Sequence, residues 1–327
     1  AELDPAFTLQ LLRGLLVAAA LWAAAPPVAS FFATPGAVPV IRALGLVAVL
    51  RGLANPAVAL AVRRIEFARV FWWSVPEGLA SFTLAVGVAL IRRDVWALVA
   101  AALGMQLVAA VASYALVPRR PRLTLRGGRR LLRFGGWVSG ARTLMFLSVN
   151  ADNAVVGRFL GTSALGIYQL AFRVSELAVV TVARAAGQVA LPALSRLRTA
   201  AERGREWGAV LRPVLAACCA YAVAVCLLGG PLLERLLGPE WRAAVPALRI
   251  LAVAMVFRAV VVVASELFNA AGRPHLALQV NALRLVVMLA AIYPLMQAFG
   301  LPGVALAVLL AGLASAAMGL YLARSLR

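Results

Sequence analysis

Apolar residues run along this chain in long blocks, separated by short stretches where arginine, proline and glycine collect. Ten blocks approach or exceed the roughly 20 residues that a helix needs to cross the hydrocarbon of a bilayer. They are Leu11–Phe32, Val38–Val62, Val70–Ile91, Val95–Val117, Phe134–Val156, Ala164–Ala190, Leu211–Gly229, Pro246–Phe268, Leu276–Gln297 and Pro302–Ala323. Each is too long for a barrel strand and lacks strict alternation. The pattern therefore predicts an all-α membrane protein, a polytopic helical bundle of about ten spans.

Composition agrees. Of 327 residues, 64% are hydrophobic and 13% charged, against about a quarter charged in soluble domains. All 32 basic residues are arginine, and 12 acids leave a formal charge of +20. On a soluble chain this would point to nucleic acid. Here no polar domain of useful size remains outside the blocks, so the excess reads as an orientation signal and no nucleic-acid partner is expected. With residue 1 in the cytoplasm, 19 arginines fall in cytoplasmic segments and 7 outside. Both ends of the chain are then cytoplasmic. Glu2 and Asp4 differ from the basic start of a signal peptide, and the chain does not begin with methionine, so it reads as a fragment or processed product.

Known enzyme chemistry finds no footing. Without lysine there is neither a P-loop nor a Schiff-base nucleophile. One histidine, His275, cannot build a multi-histidine metal site, and G-x-S-x-G is absent. Cys218, Cys219 and Cys226 share one apolar run and read as packing residues. No enzyme activity, metal or cofactor is expected.

Pro39, Arg42 and Arg51 recur at the same spacing as Pro246, Arg249 and Arg258. Continued without gaps, that offset lays Glu77 on Arg284 and Tyr114 on Tyr321. Spans one to four thus resemble spans seven to ten, and both copies start in the cytoplasm, as in parallel-repeat transporters. The expected organisation is an incomplete N-terminal lobe of four spans (1–117), a basic cytoplasmic loop (118–133) and a C-terminal lobe of six spans (134–327). Two helices are expected before residue 1. The basic loop suits anionic lipid head groups, although orientation alone also explains it. Glycines four apart, Gly136 with Gly140 and Gly157 with Gly161, suit close helix packing.

The stretch Phe134–Phe172 carries Phe134-Gly135-Gly136, Asn150 and Asp152, Val156-Gly157-Arg158, Leu160-Gly161 and Leu165-Gly166-Ile167-Tyr168. It resembles the opening of the second lobe of Wzx-type polysaccharide flippases, in the multidrug/oligosaccharidyl-lipid/polysaccharide exporter superfamily. Leu11-Leu12-Arg13-Gly14 through Asn55-Pro56 resembles that family's third and fourth helices. The resemblance implies two six-helix lobes and alternating access. It implies movement of an undecaprenyl-pyrophosphate-linked glycan across the bacterial inner membrane for O-antigen, capsule or exopolysaccharide synthesis. Membrane lipids and the polysaccharide polymerase machinery would be partners. A multidrug exporter or lipid II flippase of the same superfamily is the alternative. A membrane glycan polymerase or ligase is more remote, because the longest external loop, Gly230–Val245, is short.

Charged groups inside a span are costly, by roughly 2.5–3.5 kcal/mol on insertion scales, and normally face a polar interior. A guanidinium stays charged and binds phosphate oxygens in pairs. Arg142, Arg51 and Arg258 are the first candidates for a cationic cavity that receives a diphosphate, followed by Arg173 and Arg284. Pairing with the intramembrane acids is the competing reading; Arg173 and Glu176, three apart, share a helix face. Glu77, beside Pro76, is a candidate coupling residue, and Asn150, Asp152 and Glu176 are candidate polar cavity groups.

Overall fold

Within hydrocarbon every amide and carbonyl needs an internal partner, and a helix supplies one for all but its ends. A computed structural model describes residues 3–58, 67–116, 121–125, 150–183 and 200–325, with 132, 135, 146, 185 and 186. Among them every long element is a helix and no strand occurs. The chain divides into two units, Ala1–Phe146 and Leu147–Arg327. That division falls inside the predicted run Phe134–Val156, of which only 135, 146 and 150–156 are described.

The first unit contains α1 (Leu3–Phe31), a 3-10 turn at Pro35–Ala37, α2 (Val38–Leu53), α3 (Phe67–Arg92) and α4 (Trp96–Leu116). Here α1 packs on α2, α2 on α4, and α3 on α4. In the second unit, residues 150–159 are helical. There follow α5 (Gly161–Ala178), a π turn at Val179–Ala183, α6 (Ala200–Leu237), a 3-10 turn at Pro239–Ala244, α7 (Val245–Ala270), α8 (Pro274–Phe299) and α9 (Leu301–Arg324). Now α6 packs on α7, α7 on α9, and α8 on α9, the same order of pairing. The helix bounds carry the sequence repeat too. The starts of α2 and α7 lie 207 residues apart, as do both ends of α3 and α8.

The copies diverge where proline enters. Asn55-Pro56 follows α2, and a residue before proline is driven out of the helical region. The chain has already left the helix one residue earlier, at Ala54, which is extended with φ −62° and ψ 143°. So α2 stops at Leu53, short of the predicted Val62, whereas α7 carries Val262 and Val263 at the matching positions and continues to Ala270. The freed carbonyls of α2 find side chains. Gln10 Nε2 donates to the carbonyls of Arg51 at 2.9 Å and Ala54 at 3.0 Å, and the Tyr114 hydroxyl donates to that of Leu53 at 2.9 Å. The Asn55 amide donates to Ser113 Oγ at 2.8 Å.

Two further expectations need correction. The block Leu211–Gly229 belongs to a longer helix, so the predicted external loop Gly230–Val245 is helical to Leu237 and then a 3-10 turn. Apolar length measures only the lipid-buried part of a helix, and α6 continues through Pro231. Arg242 closes the turn, donating Nε and Nη2 to the two Glu234 carboxylate oxygens at 2.9 and 3.0 Å. Gly161 does not serve close packing: its φ of +87° makes the joint before α5, and a Cβ there would meet nothing within 4 Å.

Among the described residues, nine helices are long and apolar enough to cross a membrane. Their outer faces are apolar: on α3, Phe82, Leu90 and Ile91 are 69%, 73% and 85% exposed. Water would penalise such a face, whereas lipid accepts it. Because lipid tails are as apolar as leucine, the helices are held by close packing and polar contacts. At the α1–α2 crossing, a Cβ on Gly14 would sit 2.5 Å from the Ala48 carbonyl oxygen. In the second unit α7 is the most enclosed helix, with Leu248, Leu251, Ala259 and Phe268 fully covered. The buried Trp207 indole of α6 donates to the Val263 carbonyl at 3.1 Å.

Gly14→Leu must push α1 from α2 and is expected to cost about 1–3 kcal/mol, read as a lower thermal unfolding midpoint in detergent. Gly36→Leu, where a Cβ meets nothing within 4 Å, is expected to leave the midpoint unchanged.

Candidate functional site

Four charged groups of the second unit's helices, Asp152, Glu176, Arg258 and Arg284, converge. Tyr168, Phe172 and Glu176 are spaced four apart on α5 and so share one face. Tyr168 is fully buried, and its hydroxyl donates to Asp152 Oδ2 at 2.8 Å. The Asn153 amide donates to Asp152 Oδ1 at 2.9 Å, and Asn153 Nδ2 donates to Asn150 Oδ1 at 3.2 Å. Two turns along α5, Glu176 Oε1 lies 3.3 Å from Arg258 Nη2 of α7, and the two side chains are only 12% and 16% exposed. The Arg258 guanidinium carbon is 6.0 Å from the Phe172 ring centroid, at the outer limit of a cation–π contact. Arg284 of α8 lies within Coulombic reach of Asp152, Tyr168 and Glu176. Two guanidiniums and two carboxylates from four helical segments thus form one polar cluster, which is how ionised groups persist in an apolar bundle.

The remaining candidates lie elsewhere. Arg51 is exposed at the end of α2, while its own carbonyl is held by Gln10. Arg51 and Arg258, equivalent in the repeat, therefore have different surroundings: α5 covers Arg258 with Phe172 and Glu176. Arg173 is exposed on α5, and Glu176 pairs across helices with Arg258. Glu77 is half-buried in α3 beside Pro76. Arg142 lies outside the described residues. Sequence reasoning missed Tyr168, Phe172 and Gln10 as functional side chains. The four-residue spacing from Tyr168 to Glu176 was the available signal; nothing local announced Gln10, whose partners are more than forty residues away. Among the described residues no cluster of metal-ligating side chains occurs.

Two packed units of membrane-spanning helices, with a repeated pairing order and a polar cluster within the second, define a multi-pass membrane protein of the multidrug/oligosaccharidyl-lipid/polysaccharide exporter fold. The lipid II flippase MurJ, in an inward closed conformation, has that fold: its structure superposes with a TM-score of 0.76 over 98% of this chain and 72% of that one, at 13% identity. The chain belongs to the polysaccharide biosynthesis protein family, whose model matches residues 1–246. It is similar to the teichuronic acid biosynthesis protein TuaB of Bacillus subtilis strain 168, 22% identical over 84% of this chain and 58% of that protein. It is also similar to the succinoglycan biosynthesis transport protein ExoT of Rhizobium meliloti strain 1021, 27% identical over 75% of this chain and 50% of that protein. The chain thus spans between half and two thirds of the length of these relatives.

Tyr168→Phe strips the buried Asp152 carboxylate of a donor and is expected to cost about 1–3 kcal/mol of unfolding free energy. Tyr293→Phe, at a half-exposed ring, is expected to change nothing. In the same thermal unfolding experiment, a double-mutant cycle of Glu176→Ala and Arg258→Ala is expected to return a coupling of about 1–3 kcal/mol.

Proposed function

We propose that this chain takes part in flipping a polyprenyl-pyrophosphate-linked oligosaccharide, the undecaprenyl form, from the cytoplasmic to the periplasmic leaflet of the bacterial inner membrane. The cargo would feed O-antigen, capsule or exopolysaccharide synthesis. The observation that carries this reading is an excess of arginine over carboxylate inside the apolar runs of a chain from a polysaccharide biosynthesis family. A diphosphate needs fixed donors in a place with little water, and paired guanidinium N–H groups bind phosphate oxygens with matching geometry. Exporters of cationic drugs would call for the opposite sign.

In this reading residues 1–117 and 134–327 form two lobes that alternate access, joined by the basic segment 118–133, with both ends of the chain cytoplasmic. Arg142, Arg51 and Arg258 meet the diphosphate, assisted by Arg173 and Arg284. Asn150, Asp152 and Glu176 supply polar contacts and balance the guanidiniums between cargoes, and Glu77 couples the cycle to a proton or cation. The chain transports and makes no covalent change to its cargo, which a polymerase receives.

Deleting the gene in its own host is expected to abolish one surface polysaccharide and to accumulate its lipid-linked unit on the cytoplasmic side. Reintroduced wild type is expected to restore the polymer. Arg142→Ala, or Arg51→Ala combined with Arg258→Ala, is expected to restore it at least about tenfold less, the weight of one lost charge-assisted contact, at equal membrane levels. Normal polymer in the deletion strain overturns the reading, and drug sensitivity there with intact polymer favours a multidrug exporter. Full restoration by the arginine variants overturns the residue assignment alone.

A further inference from the structure

Between the two predicted lobes, residues 121–125 (Pro-Arg-Leu-Thr-Leu) are tied to the first two turns of α1. Asp4 Oδ1 accepts the Arg122 amide at 3.3 Å, and Thr8 Oγ1 accepts the Thr124 amide at 2.9 Å. The Thr8 hydroxyl donates in turn to the Asp4 carbonyl at 3.1 Å. Asp4 and Thr8 lie four apart on one face of α1, and the amides they hold lie two apart. The segment therefore runs alongside roughly 6 Å of helix rise, just before the apolar block that begins at Leu11. Pro5, Phe7 and Thr8 are buried there. Leu123 and Leu125 are 69% and 58% exposed.

Two exposed leucines at the level where a helix enters hydrocarbon need an apolar environment. The surrounding sequence states its charge: Arg119, Arg120, Arg122, Arg126, Arg129, Arg130 and Arg133 occur without one acid in 118–133. A short apolar face inside a polybasic segment is the composition that binds an anionic bilayer surface. We infer that residues 121–125 are a membrane-surface anchor: Leu123 and Leu125 enter the boundary between head groups and acyl chains of the cytoplasmic leaflet, Arg122 and its neighbours bind anionic phospholipid head groups, and Asp4 and Thr8 fix the height. This rests on the spanning orientation proposed above and not on the cargo. It gives the connection between the lobes a lipid-dependent position, so that anionic lipid content acts on the element that links them.

The test uses the full chain with Cys218, Cys219 and Cys226 replaced by alanine, spin-labelled at Leu123→Cys, Leu125→Cys or, as a control, Ser325→Cys. It is reconstituted into vesicles of phosphatidylcholine alone or with phosphatidylglycerol. Labels at 123 and 125 are expected roughly 5–10 Å below the phosphates, more accessible to oxygen than to an aqueous nickel chelate, and deeper with phosphatidylglycerol. High salt is expected to reverse that deepening, and Asp4→Ala with Thr8→Ala to broaden the depth. In unlabelled protein, Arg122→Gln is expected to lower the phosphatidylglycerol retained through purification, by about twofold for one of several arginines. Labels as water-exposed as the control in both vesicles overturn the inference. So do labels shielded from both oxygen and nickel, which mark a second copy or a protein partner. Unlabelled cysteines at 123 or 125 that an impermeant thiol reagent modifies from outside intact cells overturn the orientation, and with it the leaflet named here. None of these outcomes bears on whether the cargo is a lipid-linked glycan.

Discussion

A backbone carbonyl without a partner in hydrocarbon costs several kcal/mol, and the described part of the first unit is organised around a place where a spanning helix gives up its carbonyls early. Proline at position 56 ends α2 at Leu53. The carbonyls released there draw in Gln10 from α1 and Tyr114 from α4, and the following amide of Asn55 draws in Ser113. Both helices that flank α2 thus converge on its end, and the small residues Gly14 and Gly52 let α1 approach closely enough for Gln10 to reach. The same convergence leaves the Arg51 side chain directed outward while its own carbonyl is occupied.

The second unit faces the same constraint with charges instead of carbonyls. Its copy of α2, the longer α7, has valines where α2 meets Asn55-Pro56 and continues through them to Ala270. It carries Arg258 instead, which α5 covers with the Glu176 carboxylate and the Phe172 ring. Arg284 stands where the first unit has Glu77, so that position reverses sign between the copies. In the second unit this balances Asp152 and Glu176 with two guanidiniums. A repeat that preserves the pairing order of its helices, the starts of α2 and α7 and both ends of α3 and α8 therefore supports two different polar interiors. In the proposed transport cycle the exposed guanidiniums, Arg51 and Arg173, are available to an anion at once. In that same proposed cycle Arg258 exchanges its pairing with Glu176 for the anion.

How much was legible in the sequence follows from the range of the forces involved. Apolar block length is a local property that the bilayer reads directly, so the helical class and, among the described residues, nine of the ten apolar blocks as long helices were recoverable from it. The repeat was recoverable from Pro39, Arg42 and Arg51 against Pro246, Arg249 and Arg258, because helix starts depend on nearby proline and charge. Helix ends in polar surroundings were not: α6 outruns its apolar block at both ends, since water tolerates helix beyond the bilayer. The break at Asn55-Pro56 was written in the chain, yet its apolar surroundings concealed it from a hydropathy reading.

By itself the sequence determined that this is a membrane bundle and which charged residues lie within its apolar runs. Only the tertiary structure decided with what. Glu176 shares a helix face with Arg173, yet it pairs with Arg258, eighty-two residues further on. Asp152 is held by Tyr168, and three carbonyls at the end of α2 depend on side chains from α1 and α4. The physical reason is that spans are selected one at a time by transfer from water to lipid, whereas polar pairs form between spans. Helix crossings within each unit set those pairs, and one chain's order of residues does not encode a crossing locally.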